Sequence, residues 1–372
     1  MERIARQAGR FLATGEAVPP PPELPPILSL CKHNNLLPLL AYRMKNASVD
    51  LPADVLEDLN RADRNAVARR SLVLGALEDA LELLAPRRAV LFKGLAVAES
   101  WPSPHFRDPG DIDLLVPVEM HGEAAGTLLA HGWTEERTIH IGVRELVARK
   151  YGFARVFRHP ERPVIVDLHS APVDRTEPFW MNPQPLHENS IETTLSGGVN
   201  ARVPLDEHHL ALMALHAVRH GTFRMQNFLD LHFFCCSKRI NNIEISAYAR
   251  RENIFRAVSV SRRVATELLG VQPWGAGSDE GAAIRRAAEK RNPAVIARGH
   301  MTVRGGTRRM IALIDLIDDP VSAIRYMWRL AFPKRSLLVG RAGSSGIVSY
   351  MYHRFLAAAS LLRRFERKEN DS

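Results

Sequence analysis

The stretch FKGLAVAESWPSPHFRDPGDIDLLV, residues 92–116, decides how the chain is read. It begins with a lysine and a glycine after a short apolar run and ends with two aspartates, one residue apart, leading a second apolar run. Side chains alternate between the faces of a strand, so Asp111 and Asp113 project together while Ile112 and Leu114 pack behind them. Two carboxylates side by side repel unless a cation joins them or one keeps its proton. Hard divalent ions favour such oxygen ligands, which makes the pair a candidate metal site.

Around this stretch the texture changes twice. Residues 27–85 carry apolar residues at helical spacing, with Leu77, Leu81 and Leu84 on one stripe, and Asp50 or Pro52 marks a helix start. Before them, PPPPELPP (19–26) reads as a stiff connector, because proline lacks a donor and restrains its predecessor. RRAVLF (87–92) and DIDLLVPV (111–118) read as strands, residues 119–131 as a helix, and ARVFRHPERPVIVDLHS (154–170) as a hairpin carrying Asp167 near its end. Residues 171–205, rich in proline and polar residues, read as a long irregular excursion. From Asp206 onward the periodicity is helical, over about 206–220, 225–237, 245–270, 279–290, 308–331 and 347–365. The predicted fold class is α+β, a small mixed-sheet core (86–205) flanked by helical N-terminal (1–85) and C-terminal (206–372) lobes.

The totals fit a globular protein of 372 residues, 46% hydrophobic and 24% charged. The formal charge of +9 favours polyanionic partners. Cys31, Cys235 and Cys236 offer neither a disulfide framework nor a zinc spacing, which points to a reducing cytoplasm. No run approaches the length of a membrane span, so no transmembrane segment is expected. Two basic stretches, Arg285 to Arg309 and the helical pattern 350–368, admit nucleic-acid and anionic-membrane readings, but a solvated face and ordinary packing account for them more simply.

Asp167 lies far enough along the chain to return beside the first pair, and three carboxylates suffice for the two Mg²⁺ (or Mn²⁺) ions of a phosphoryl-transfer site. Lys93 and Gly94 complete the picture: a glycine at a strand-to-helix turn lets phosphate approach the backbone, and the helix start offers free amide donors. Lys93 adds a point charge and Arg107 a forked one, either toward phosphate or toward the aspartates. Together they describe a pocket for an NTP such as ATP. Asp111, Asp113 and Asp167 are the candidate metal and catalytic residues, and Lys93, Gly94 and Arg107 the candidate nucleotide ligands. His169, sharing the face of Asp167, and His216, His220 and Asp230 are candidate pocket-lining residues.

Residues 89–116 resemble the signature of the DNA polymerase β-like nucleotidyltransferase superfamily: a strand, a glycine turn and a D-x-D strand, with VDLHS (166–170) in the place of the third acidic strand. The chain is more closely similar to the bacterial uncharacterised nucleotidyltransferase family. The shared features are the K-G turn, the R-x-x-G-D-I-D-L-L-V core, the D-L-H strand and a later H-x-x-x-H segment followed by an aspartate, here His216, His220 and Asp230. Leu95 departs from the small residue that superfamily members carry after the turn glycine. The resemblance implies metal-dependent transfer of an NMP from an NTP to an acceptor hydroxyl, with release of pyrophosphate. A small molecule, a peptide, a protein or an RNA end all remain open as acceptor. The competing readings are a non-catalytic nucleotide or nucleic-acid binding module on the same fold, and a D-x-D glycosyltransferase.

Overall fold

A computed structural model of the chain describes residues 2–85, 88–136, 154–173, 177–219, 224–274, 284, 287–288 and 313–331. Its centre is a seven-stranded mixed sheet. The strands are β1 (Val90–Leu91), β2 (Ile112–Leu115), β3 (Thr134–Glu135), β4 (Arg155–Arg158), β5 (Ile165–His169), β6 (Ile191–Thr194) and β7 (Asn200–Val203). Their order is β3-β4-β5-β2-β1-β7-β6. The two central neighbours, β2 and β5, run parallel, whereas β1 lies antiparallel to β2 and parallel to β7.

Alternation along the strands sorts the sheet into two faces. Leu91, Ile112, Leu114, Val166 and Leu168 pack with Val73, Leu77 and Leu84 of the helix Ala53–Leu84 and with Ala124 and Leu128 of the helix His121–Ala130. Val90, Phe92 and Leu115 belong to a second cluster. That cluster joins the helices Glu2–Thr14, Leu24–His33 and Leu37–Asn46 to Asp206–Arg219, Met225–Ser237, Asn242–Arg251 and Phe255–Leu269. The early helices thus divide: the first three share a core with the C-terminal helices, and the fourth covers the opposite face of the sheet.

The α+β architecture read from the sequence is the one observed, a mixed sheet flanked by helices on both chain sides of it. Three local expectations need correction. Residues 171–205 are not wholly irregular, because they contain the helix Gln184–Glu188 and the β6–β7 hairpin, which extends the sheet through β1. The signal was weak because Ile191–Thr194 is mostly solvent-facing, so its composition is that of an edge and not of a core strand. The helix expected at 245–270 breaks between Arg251 and Phe255, where Asn253 has φ 56° and the Asp318 carboxylate accepts the N–H groups of Phe255 (2.7 Å) and Arg256 (2.6 Å). A cap supplied from more than 60 residues away leaves no local trace. The proline connector is partly helical as well: Pro25 and Pro26 sit in the opening turn of Leu24–His33, where a missing N–H costs nothing. Of the late helical patterns, Pro320–Ala331 is observed, while most of 279–290 and all of 347–365 lie outside the described residues. No helix among the described residues is long and apolar enough to cross a membrane.

The helices Glu2–Thr14 and Phe255–Leu269 meet closely at Gly9, where an added Cβ would stand 2.5 Å from the carbonyl oxygen of Leu268. Backbone cannot yield as a side-chain tip can, so Gly9→Ala is expected to cost about 1–3 kcal/mol of stability in urea unfolding. An unchanged midpoint would show that the two helices do not pack as described.

Candidate functional site

The parallel register of β2 and β5 sets Asp113 directly beside Asp167 and Leu115 beside His169. Asp111, two residues before Asp113, and His169, two after Asp167, fall on the same face, the one turned toward the C-terminal helices. Oxygens of Asp113 and Asp167 and a ring nitrogen of His169 all lie within 4.8 Å of one another. Asp111 stands outside that trio but lines the same cleft, of about 380 Å³. Lys93, Gly94, Arg107, His216 and Asp230 line it too. His220 lies outside the described residues.

Burial shapes the charges. Asp113 is 7% exposed, and burial alone would raise its pKa, yet the carboxyl is held well below the usual range by the Lys93 ammonium and by His169. Lys93 Nζ stands 2.7 Å and His169 Nε2 3.0 Å from the same Asp113 Oδ1. Among the described residues Asp167 has no hydrogen bond of this kind, so burial and the charges of Asp111 and Asp113 push it up to about 7 against the pull of Lys93. Asp111 is raised by burial and by Asp113, against the pull of Lys93, Arg107 and Arg224. His169 is lowered to about 4 by burial and by Lys93, and so is neutral, as a metal ligand must be. Two carboxylate oxygens and one neutral imidazole can hold a divalent metal ion, and the raised Asp167 records, beside its burial, the repulsion that such an ion would relieve.

The turn between β1 and the helix Gly94–Ala98 is tightly specified. Lys93 adopts φ 60°, ψ −148°, a conformation almost confined to glycine. Its N–H donates to Nε2 of buried His209 at 3.1 Å. Burial, reinforced by Lys238, lowers the pKa of His209 to about 3, so the ring is neutral and can accept. A Cβ on Gly94 would lie 3.0 Å from Arg107 Nη1, so the missing side chain is what lets the guanidinium reach the turn. Arg107 is fixed from behind by a forked pair to Asp230, Nε to Oδ1 at 3.3 Å and Nη2 to Oδ2 at 3.1 Å. Trp101 Nε1 donates to the same Asp230 Oδ1 at 2.9 Å. Of the two roles the sequence left open for Arg107, the geometry thus adds a third: it is the partner of Asp230, and the pair ties the loop 99–111 to the helix Met225–Ser237.

Sequence reasoning did not single out His209, Trp101, Arg219 or Arg224. Arg219 and Arg224 line the cleft, and Arg219 Nη1 also pairs with Glu177 Oε2 at 3.3 Å. Nothing local distinguishes His209 from its neighbour His208; only the long-range bond to Lys93, 116 residues away, does so. For Trp101 the W-P pair at the end of a helix was a usable signal, since a buried indole N–H needs an acceptor.

The model of the uncharacterised nucleotidyltransferase family matches residues 20–270, more than half of the chain, and the chain belongs to that family. Its fold and acidic cluster are consistent with the polymerase β-like superfamily. No curated protein matches the chain.

Two outcomes follow from the electrostatics. Because the folded pKa of Asp167 lies above the ordinary carboxylate value, its contribution to stability is full below pH about 4 and is lost as pH rises through about 7. In EDTA at pH 8, Asp167→Asn should therefore melt about 2–4 °C above wild type, with the gap closing toward pH 4, and millimolar Mn²⁺ should raise wild type and not the variant. Asp230, 6% exposed, anchors the largely buried guanidinium of Arg107, so Asp230→Ala should cost about 3–5 kcal/mol in denaturant unfolding and Asp230→Asn less.

Proposed function

We propose, taking family membership as the premise, that the protein transfers an NMP from an NTP to an acceptor hydroxyl and releases pyrophosphate. The observation that carries this reading is the pairing of Asp113 with Asp167 in adjacent parallel strands, facing the Lys93–Gly94 turn across one cleft. Asp113 and Asp167, with His169 or Asp111 completing the set, would hold Mg²⁺ or Mn²⁺. When bound, a divalent ion neutralises charge on the phosphoryl oxygens and on the attacking and leaving oxygens.

The chain's own groups supply the rest. Lys93 and the amides opening the helix Gly94–Ala98 bind the oligophosphate, and Arg107, held by Asp230, presents its remaining N–H groups beside Gly94. Asp167 accepts the proton of the acceptor hydroxyl, whose oxygen bonds to the α-phosphorus as the bond to the β-phosphate bridging oxygen breaks. The electron pair of that bond leaves with pyrophosphate. Positioning and charge complementarity account for most of the rate. The 86–205 core would bind the nucleotide tail, and the helices beyond residue 206 would supply contacts to base and acceptor. A glycosyltransferase would call for an α/β nucleotide-sugar domain before the D-x-D pair, whereas residues 2–84 are helical.

The test is incubation with each α-labelled NTP, Mg²⁺ or Mn²⁺ and a cell extract, beside Asp111→Ala and Asp113→Ala. Label should move to an extract component with wild type and fall by roughly a hundredfold or more with either variant. Equal nucleotide retention by all three proteins, with no transfer, would instead identify a binding module.

A further inference from the structure

Lys93 is placed where a nucleotide tail needs positive charge, yet its ammonium rests on an acid. Nζ lies 2.7 Å from Asp113 Oδ1 and 4.5 Å from the centroid of the Phe92 ring, and the residue is only 9% exposed. Asp113 is also one of the three groups whose ligand atoms converge for a metal ion. A cation is thus already seated on an oxygen of the candidate metal cluster. The main chain aims it there. A lysine at φ 60°, ψ −148° persists only where its surroundings over-determine it, and here buried His209 takes up its N–H. The side chain above that fixed point is a flexible four-carbon stem that lines the cleft, so a turn about its own bonds can carry Nζ from Asp113 toward a ligand there.

We propose that Lys93 is an internal counter-cation: without ligand it neutralises Asp113 in place of a divalent ion, and an oligophosphate draws it away. Metal and oligophosphate then bind with positive coupling, because the one takes the oxygen that the other has freed. The coupling is reciprocal, so metal raises oligophosphate affinity by the same factor. This inference rests on the metal-dependent reading of the site and goes beyond it, since it makes Lys93 a competitor of the metal until the phosphate chain arrives.

The experiment is titration of Mn²⁺ alone, without nucleotide, followed by the electron paramagnetic resonance signal of the free ion, for wild type, Lys93→Met and Lys93→Gly. Glycine adopts the observed backbone conformation readily, so the second variant keeps the turn should the first fail to fold. Both variants are expected to bind Mn²⁺ about tenfold more tightly than wild type, the effect of removing roughly 1.4 kcal/mol of competition. In EDTA, tripolyphosphate alone should bind wild type and lose about tenfold in the variants. Folded variants that bind Mn²⁺ no more tightly than wild type would overturn the inference while leaving the metal site intact. Mn²⁺ uptake by none of the three proteins would remove the metal site itself, and both proposals with it.

Discussion

The carboxylate of Asp113 is the point on which the site depends. It is a charge taken out of water at the centre of a sheet, between apolar neighbours Ile112 and Leu114 that are fully buried. Such a group persists only if cations and donors surround it, and removing one partner from a buried pair costs about 3–5 kcal/mol. Here the cation is Lys93, from the turn after β1, and the donor is His169, from β5, while Asp167 in the adjacent strand adds a like charge. The sheet register that brings them together is the one that buries Leu91, Leu114 and Leu168 on the opposite face. A slip of one residue would expose that apolar set and scatter the acids, so packing and chemistry enforce the same alignment.

Around this centre the structure repeats one device, a polar donor fixed by a partner distant in sequence. Arg107 is held by Asp230, which also accepts the indole N–H of Trp101, the strained Lys93 peptide is held by His209, and the N–H groups opening the helix Phe255–Leu269 by Asp318. Each link joins the sheet or its loops to the C-terminal helices, or joins those helices to one another. The cleft is therefore walled on one side by a rigid sheet and on the other by helices whose positions these polar links set. A transfer reaction that relies on positioning needs such preorganisation more than it needs a strong nucleophile.

Much of the core was legible in the sequence because its signals are local. The D-x-D pair flanked by Ile112 and Leu114 declares a strand with one acidic and one apolar face, and VDLHS repeats the pattern. The long helix Ala53–Leu84 shows in its leucine spacing. What escaped detection was sustained by distant contacts. The β6–β7 hairpin exists because β7 has β1 to pair with, and the break at Asn253 is stabilised by Asp318. His209 is indistinguishable from His208 until the fold sets it under Lys93.

Residue order alone thus determined the α+β class, the family, and the list of acids and cations suited to a metal and a phosphate chain. Side-chain alternation and chemical type are properties of a few consecutive residues, so they can be read without a partner. Which of those groups meet was decided by tertiary structure. Only the parallel alignment of β2 with β5 pairs Asp113 with Asp167 and His169, and only the closing helices give Arg107 its aspartate and Lys93 its histidine; burial raises both neighbouring carboxyls, and Lys93 with His169 then pulls Asp113 down and away from Asp167 in acidity. Distances and desolvation arise from chain segments meeting in space, and no local pattern encodes them.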